Sequence, residues 1–266
     1  MIITSASNDK IKDIRRLIKS SKDRRQSGLY VVEGIRMCSE IPKNDINELY
    51  VSESGYDKYQ DYIKKISIEP VVVSDKVFCT MSDTNTPQGI MALVKIKDYE
   101  LEDVCKECSK QLPFILIMDK LQDPGNMGTI IRTAEGAGVT GIIISSDSVD
   151  VYNPKVIRST MGSIFRMPIY ISSNLVNDIN EIKKKGVVIY GAHLDGKDLY
   201  EKNMEGACAF LIGNEGNGLS EDVSCTADEL IKIPMNGNVE SLNAAISTAI
   251  ISYEVMRQRK YSAKLV

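Results

Sequence analysis

From residue 113 onward the chain alternates short, continuous apolar runs with longer amphipathic stretches, and this rhythm limits its possible folds more than any other feature. The apolar runs are Pro113–Asp119, Gly141–Ser145, Pro168–Ile171, Val187–Ala192, Ala209–Gly213 and Leu230–Ile233. Between them Met127–Gly136, Pro154–Phe165 and Leu175–Lys185 carry helical spacing, and a last helix is predicted from Ser241 to about Arg259. A strand that is apolar on both faces must be covered on both faces. Such strands alternating with helices predict an α/β domain built on a parallel sheet. The first half, Met1 to about Lys97, has shorter apolar runs at Tyr30–Val32, Leu49–Val51, Val71–Val73 and Ile90–Val94. It opens with a helix capped by Ser7 or Asn8, with Ile11, Ile14, Leu17 and Ile18 on one face. A second, smaller α/β domain is predicted there. Asp98–Gln111 is acidic and mixed and reads as a linker or short helix. With the boundary inside it, the domains are 1–107 and 108–266.

Composition removes several classes. With 43% hydrophobic and 26% charged residues, the chain has the makeup of a globular protein rather than a disordered one. Its longest apolar runs fall far short of the roughly 20 residues a membrane helix needs. The N-terminal residues MIITSASNDK lack a charged-then-apolar signal pattern, so a cytoplasmic setting is expected. Of the six cysteines, Cys38, Cys79, Cys105, Cys108, Cys208 and Cys225, only Cys105 and Cys108 are close in sequence. Without a second pair, and with His193 the single histidine, no zinc site is expected, and the thiols read as reduced. One histidine also makes a Ser-His-Asp hydrolase improbable. The net charge is −3, yet the first 28 residues carry eight Lys and Arg against three Asp. That asymmetry points to a polyanion partner.

One motif is misleading. Gly136-Ala-Gly138-Val-Thr-Gly141 fits GxGxxG, but the dinucleotide fingerprint must follow a strand and open a helix. Here the predicted helix precedes it and the strand follows, which argues against a dinucleotide-dependent dehydrogenase. Three other clusters each stand at the C-terminal end of a predicted strand, where ligands bind in open α/β sheets. The first is Asp119-Lys-Leu-Gln-Asp123-Pro124-Gly125-Asn126-Met-Gly128, with Asn126 a candidate helix cap and Arg132 six residues further on. The second is Gly213-Asn214-Glu215-Gly216-Asn217-Gly218, a glycine-rich turn in which Glu215 is out of place for packing alone. The third runs Ile233-Pro234-Met235-Asn236-Gly237-Asn238-Val239-Glu240-Ser241-Leu242-Asn243 into a helix rich in small residues, with Ser241 near its N-cap.

In this order and spacing the three clusters resemble the signature motifs of the SpoU/TrmH family, ribose 2′-O-methyltransferases of the SPOUT class that act on RNA. Asn8, Lys10, Lys12, Arg24, Gly28, Val32-Glu33-Gly34 and Pro87-Gln88-Gly89 resemble that family's N-terminal substrate-binding domain. Asn153–Arg158 and Met161–Phe165 resemble its intermediate segment. The resemblance implies a catalytic domain with a deep trefoil knot, S-adenosylmethionine as cofactor and a homodimer whose RNA site is shared between subunits. Cofactor contacts are implied at Gly213, Ile233 and Leu242. The polar active-site positions are Asn126, Arg132, Glu215, Ser241 and Asn243. RNA contacts are expected at Lys10, Lys12, Arg24 and Arg25, with ribosomal RNA the expected substrate before transfer RNA.

The chemistry fits those residue types. Methyl transfer from a sulfonium needs positioning and removal of the hydroxyl proton. A guanidinium keeps its proton below about pH 12, so Arg132 is expected to act as a cation on phosphate and developing alkoxide. Asn126 is expected to orient Arg132 or the ribose, and Glu215 to hold Arg132 or a loop. Ser241 and Asn243 are expected to shape the cleft. The alternative is a non-catalytic RNA-binding protein that keeps the fold, against which the intact polar set argues.

Overall fold

The computed structural model describes residues 2–106, 112–239 and 241–261, so Cys108, Glu240 and the expected boundary at 107/108 lie outside the described residues. The elements follow in the order α1 (Asp9–Lys19), α2 (Ser21–Ser27), β1 (Leu29–Glu33), α3 (Ile35–Cys38), β2 (Ile46–Ser52), α4 (Glu53–Lys58), α5 (Gln60–Ile66), β3 (Val71–Val73), α6 (Asp75–Met81) and β4 (Ile90–Lys95). They continue as α7 (Leu101–Cys105), β5 (Phe114–Met118), α8 (Pro124–Ala137), β6 (Gly141–Ser145), α9 (Pro154–Thr160), β7 (Ile169–Ser172) and α10 (Leu175–Lys184). The last are β8 (Val188–Asp198), β9 (Cys208–Ile212), α11 (Glu221–Ser224), β10 (Glu229–Lys232) and α12 (Ala244–Tyr261). The chain forms two compact units, Met1–Lys97 with Asp150–Phe165, and Asp98–Val149 with Arg166–Val266.

The first unit holds a four-stranded sheet in the order β1-β4-β2-β3. Strand β4 runs antiparallel to β1 and β2, and β3 is parallel to β2. Asn8 caps α1 by accepting from the Lys10 N–H at 3.0 Å. That helix then lays Ile11, Ile14 and Leu17 against Tyr50, Met91 and Leu93 of the sheet. The stretch Pro154–Phe165 departs from the expected pattern. Its α-helix stops at Thr160, where Met161 is left-handed, and Ser163–Phe165 is a 3₁₀ turn. It packs in this first unit, beside β1, rather than alternating with the strands of the second. Helical spacing reveals an apolar face but not which sheet receives it.

Arg24, expected on an RNA surface, is buried instead. It donates to Asp150 Oδ2 through Nε at 2.8 Å and Nη2 at 2.5 Å, and to the carbonyls of Leu17 and Ile18. Its side chain is 3% exposed, so its donors are committed within the protein. Removing one partner strands a buried charge, which costs about 3–5 kcal/mol. Arg24→Ala should therefore lower unfolding stability in urea by about 3 kcal/mol. A change below about 0.5 kcal/mol, the usual size of a surface substitution, would refute the structural role.

The second unit is the predicted parallel sheet, six strands in the order β10-β8-β9-β5-β6-β7. Strands β5, β6 and β9 are buried along their whole length, as continuous apolar runs require. Strand β8 is longer than expected, because the mostly polar residues 193–198 extend it along β10 after a register shift. Part of the stretch read as a linker or short helix is indeed the short helix α7, and its Leu101 and Val104 belong to this unit's core. A Cβ on Gly141, at the start of β6, would stand 2.5 Å from Val104 Cβ. Only glycine lets the helix lie that close. The misleading glycine motif is the αL cap of α8 at Gly138, φ 80°, followed by β6. Since all six strands are parallel, their C-terminal ends share one edge, and the loops after β5, β9 and β10 leave from it.

Candidate active site

The loop after β5 begins at Asp119, whose buried carboxylate accepts from the Ser220 N–H at 2.7 Å. It ends at Asp123, which caps α8, with Pro124 in the first helical position. Asp123 Oδ1 accepts from the Asn126 N–H at 2.7 Å. The cap is thus Asp123 and not Asn126, so the Asn126 side chain is left for other work. Its Nδ2 donates to Glu215 Oε1 at 3.1 Å, and its Oδ1 accepts from Asn243 Nδ2 at 2.9 Å. A carboxylate only accepts, so Glu215 fixes which end of the Asn126 amide faces which neighbour.

Glu215 comes from the loop after β9. It also accepts the N–H groups of Gln122 at 3.1 Å and Asp123 at 2.9 Å. Burial pushes the carboxyl pKa up, but the Asn126 amide and those N–H groups outweigh it, and the net shift is downward. The loop doubles back on itself through reciprocal bonds between the Asn214 and Gly218 backbones. A Cβ on Gly213 would lie 2.2 Å from the Gly218 carbonyl carbon, so no side chain fits there. Asn214 accepts from the Gly216 and Asn217 N–H groups and donates to the Lys120 carbonyl at 2.9 Å.

The third loop leaves β10 and ends at Asn243. This residue, rather than Ser241, caps α12, because its Oδ1 accepts from the Ala245 N–H at 2.9 Å and the Ile246 N–H at 3.3 Å. Glu215, Asn126 and Asn243 therefore form one hydrogen-bonded chain joining all three loops. Beside it lies a cavity of about 400 Å³, with Gly213, Glu215, Ile233, Ser241 and Leu242 in its wall and Leu219 and Ile251 supplying apolar surface.

Arg132 stands apart from this chain. It is exposed on α8, about 120° around the helix axis from Asn126 at 100° per residue. Among the described residues its side chain has no ion pair or hydrogen bond. Of the two partners expected for Glu215, the structure gives the loop and not Arg132. Sequence reasoning passed over Asp123 as the cap, although Asp-Pro before an apolar helix is a legible start signal. Asn214 and the cavity-lining His193 carried no comparable signal.

In the first unit Lys10 pairs with Glu48 at 2.6 Å and Lys12 with Asp9 at 2.9 Å. Arg25 is exposed without an ion pair among the described residues, as are Arg15, Lys19 and Lys22. The described residues contain no cluster of His, Cys, Asp or Glu able to hold a metal ion, and no helix long and apolar enough to cross a membrane.

Comparison with known proteins agrees with this architecture. Residues 113–253 match the model of the SpoU rRNA Methylase family, and residues 8–92 match the MRM3-like substrate binding domain. The chain is 31% identical over 256 residues to the 23S rRNA (guanosine(2553)-2′-O)-methyltransferase RlmP of Bacillus subtilis, covering 95% of this chain and 98% of that one. It is 34% identical over 194 residues to the 23S rRNA (guanosine-2′-O-)-methyltransferase RlmB of Shewanella oneidensis, covering 71% and 78%. The SpoU methyltransferase AviRb of Streptomyces viridochromogenes, solved in complex with AdoMet, superposes with TM-score 0.82 at 26% identity over 95% of this chain and 99% of that one. An AdoMet-bound rRNA methyltransferase from Sinorhizobium meliloti superposes with TM-score 0.83 at 29% identity, covering 97% of each chain. With its whole catalytic half matched and its motif loops meeting at one sheet edge, the chain belongs to the SpoU rRNA methylase family.

Proposed function

We propose that this protein transfers a methyl group from S-adenosylmethionine to the 2′-hydroxyl of a ribose in RNA, with ribosomal RNA the preferred substrate. The observation that carries the reading is the meeting of the three motif loops beside one cavity. Its volume of about 400 Å³ is within the usual range for cofactor pockets. Met235, Ser241 and Leu242 in its wall make no hydrogen bond to another described residue. Free backbone groups beside the apolar Leu219 and Ile251 suit a flat adenosine with a polar edge, so the residues fit the cofactor. When bound, the cofactor supplies a methyl group activated by its sulfonium.

The chain's own residues do the rest. Gly213, Ile233 and Leu242 hold the cofactor, and Ser241 and Asn243 shape the cleft. Asn126 and Glu215 lock the loops so that the cleft keeps its form before substrate arrives. Arg132, whose side chain is free of internal partners, meets a backbone phosphate and stabilises the negative charge that grows on the 2′-oxygen as its proton passes to that phosphate or to water. The first unit holds RNA through unpaired cations, Arg25 among them. Lys10 and Lys12, about half exposed, each spend one donor on Glu48 or Asp9 and keep others for a phosphate. The family's deep trefoil knot and homodimer belong to the same reading. Ile246 and Tyr253, two turns apart on α12 and 53% and 47% exposed, offer an apolar face for a second copy.

Incubation of the purified protein with methyl-labelled cofactor and ribosomal RNA, followed by nuclease digestion, tests the activity. Label in a 2′-O-methylnucleoside is expected. Cofactor and RNA binding without transfer would instead establish the non-catalytic alternative.

A further inference from the structure

Among the described residues three other than glycine have positive φ: Ser67 at 51°, Met161 at 51° and Lys120 at 54°. Ser67 and Met161 end α5 and α9, where a left-handed residue is an ordinary helix stop. Lys120 ends no helix. It follows β5 and opens the first motif loop, where the left-handed conformation strains any residue with a Cβ.

The loop around it imposes that conformation. The Lys120 N–H donates to Ser145 Oγ at 2.9 Å. Its carbonyl accepts from Asn214 Nδ2 at 2.9 Å and Gln122 Nε2 at 3.1 Å. The flanking Asp119 and Leu121 are buried. None of these bonds uses the lysine side chain, so glycine would serve the loop with less strain. The ammonium itself is exposed and has no ion pair or hydrogen bond among the described residues. A strained position that keeps a long cation with no internal role marks function rather than packing.

We infer that Lys120 is a further substrate-positioning residue, whose ammonium binds a phosphate of the RNA next to the ribose being methylated. The inference rests on the methyltransferase reading above. The loop that carries Lys120 leads into α8, whose first turn holds Asn126 and whose later turns hold Arg132. A phosphate held by Lys120 would therefore be registered against the same rigid frame as the reacting ribose. Its carbonyl bond to Asn214 ties it to the second loop as well. The two cations would bracket the target nucleotide, with Arg132 at the reacting oxygen and Lys120 at a neighbouring phosphate.

Lys120→Gly removes the cation and the strain together, so it separates this role from a structural one. The melting temperature is expected to stay level or rise. Cofactor affinity should stay within about twofold, while KM for RNA rises about tenfold, the scale of a lost charge-assisted bond, with kcat little changed. The slope of log affinity against log salt should shrink by about 0.7–0.9, the signature of one phosphate contact. Lys120→Arg should restore most of the affinity and the slope. An unchanged KM and slope in Lys120→Gly would overturn the inference, as would a lower melting temperature with weakened cofactor binding. If the wild-type protein transfers no methyl group to RNA, the functional reading fails first. Loss of transfer only in the variant, through kcat and not KM, would contradict positioning by phosphate alone.

Discussion

Replacing Arg132 with lysine should lower kcat about a hundredfold or more while leaving the dissociation constant for S-adenosylmethionine within about twofold. The expectation follows from what the arginine lacks. Its side chain lines no part of the cavity and makes no hydrogen bond or ion pair with a described residue, so neither cofactor binding nor folding is expected to depend on the guanidinium. In the proposed mechanism its partner is a group outside the chain. A planar guanidinium can bridge a phosphate oxygen and a developing alkoxide at once, whereas an ammonium is a point charge with no such fork. Losing one well-placed donor to a developing oxyanion typically costs about 10²–10³ in kcat. Single-turnover methylation with calorimetry of cofactor binding measures both quantities. Wild-type turnover in Arg132→Lys would take the residue out of the mechanism. Weakened cofactor binding would place it in the pocket instead.

The second large effect belongs to Glu215. Its carboxylate collects the Asn126 amide and the N–H groups of Gln122 and Asp123. In Glu215→Gln half of that acceptor becomes a donor facing donors. The amide keeps one accepting oxygen, so either the Gln122 N–H or the pair of donors from Asp123 and Asn126 is left facing an N–H group, and the orientation of Asn126 toward Asn243 weakens. Expected results are a fall in kcat/KM of about 10²-fold and a fall in cofactor affinity of about tenfold. The pH dependence has a definite sign. The folded-state pKa lies below the ordinary value of 4.5, so the carboxylate's contribution is full above that value. It is lost as pH falls through the lowered pKa. The stability gap between wild type and Glu215→Gln should be about 1 kcal/mol at neutral pH, small because the side chain is exposed to solvent. It should close at strongly acidic pH. A gap that widened on acidification would contradict the assigned bonding.

How much of this was legible beforehand differs from element to element. Strands β5, β6 and β9 could be read almost to the residue, because burial on both faces leaves no polar position to blur their ends. At α7 the reading stayed open between linker and short helix, and the structure shows the short helix. Leu101 and Val104, with the partly buried Cys105, anchor that helix in the core, and the acidic residues around them hide so short a pattern. The motif loops were legible as residue types at strand ends, and the resemblance gathered them into one site. Their mutual bonds were not legible, since no local pattern tells that Glu215 will meet Asn126 rather than Arg132. Charge counting found the basic N-terminal segment but could not separate solvent-facing cations from Arg24. That residue satisfies Asp150, 126 positions away in the sequence.

Hydrogen exchange with and without S-adenosylmethionine tests most directly whether the three loops make one pocket. Slower exchange is expected in residues 213–219 and 233–243, with a smaller effect in 119–126 through the Glu215–Asn126–Asn243 chain. Residues 9–95 should exchange at unchanged rates. Protection confined to the first unit, or no protection anywhere at saturating cofactor, would contradict the pocket and the methyl-transfer chemistry assigned to it.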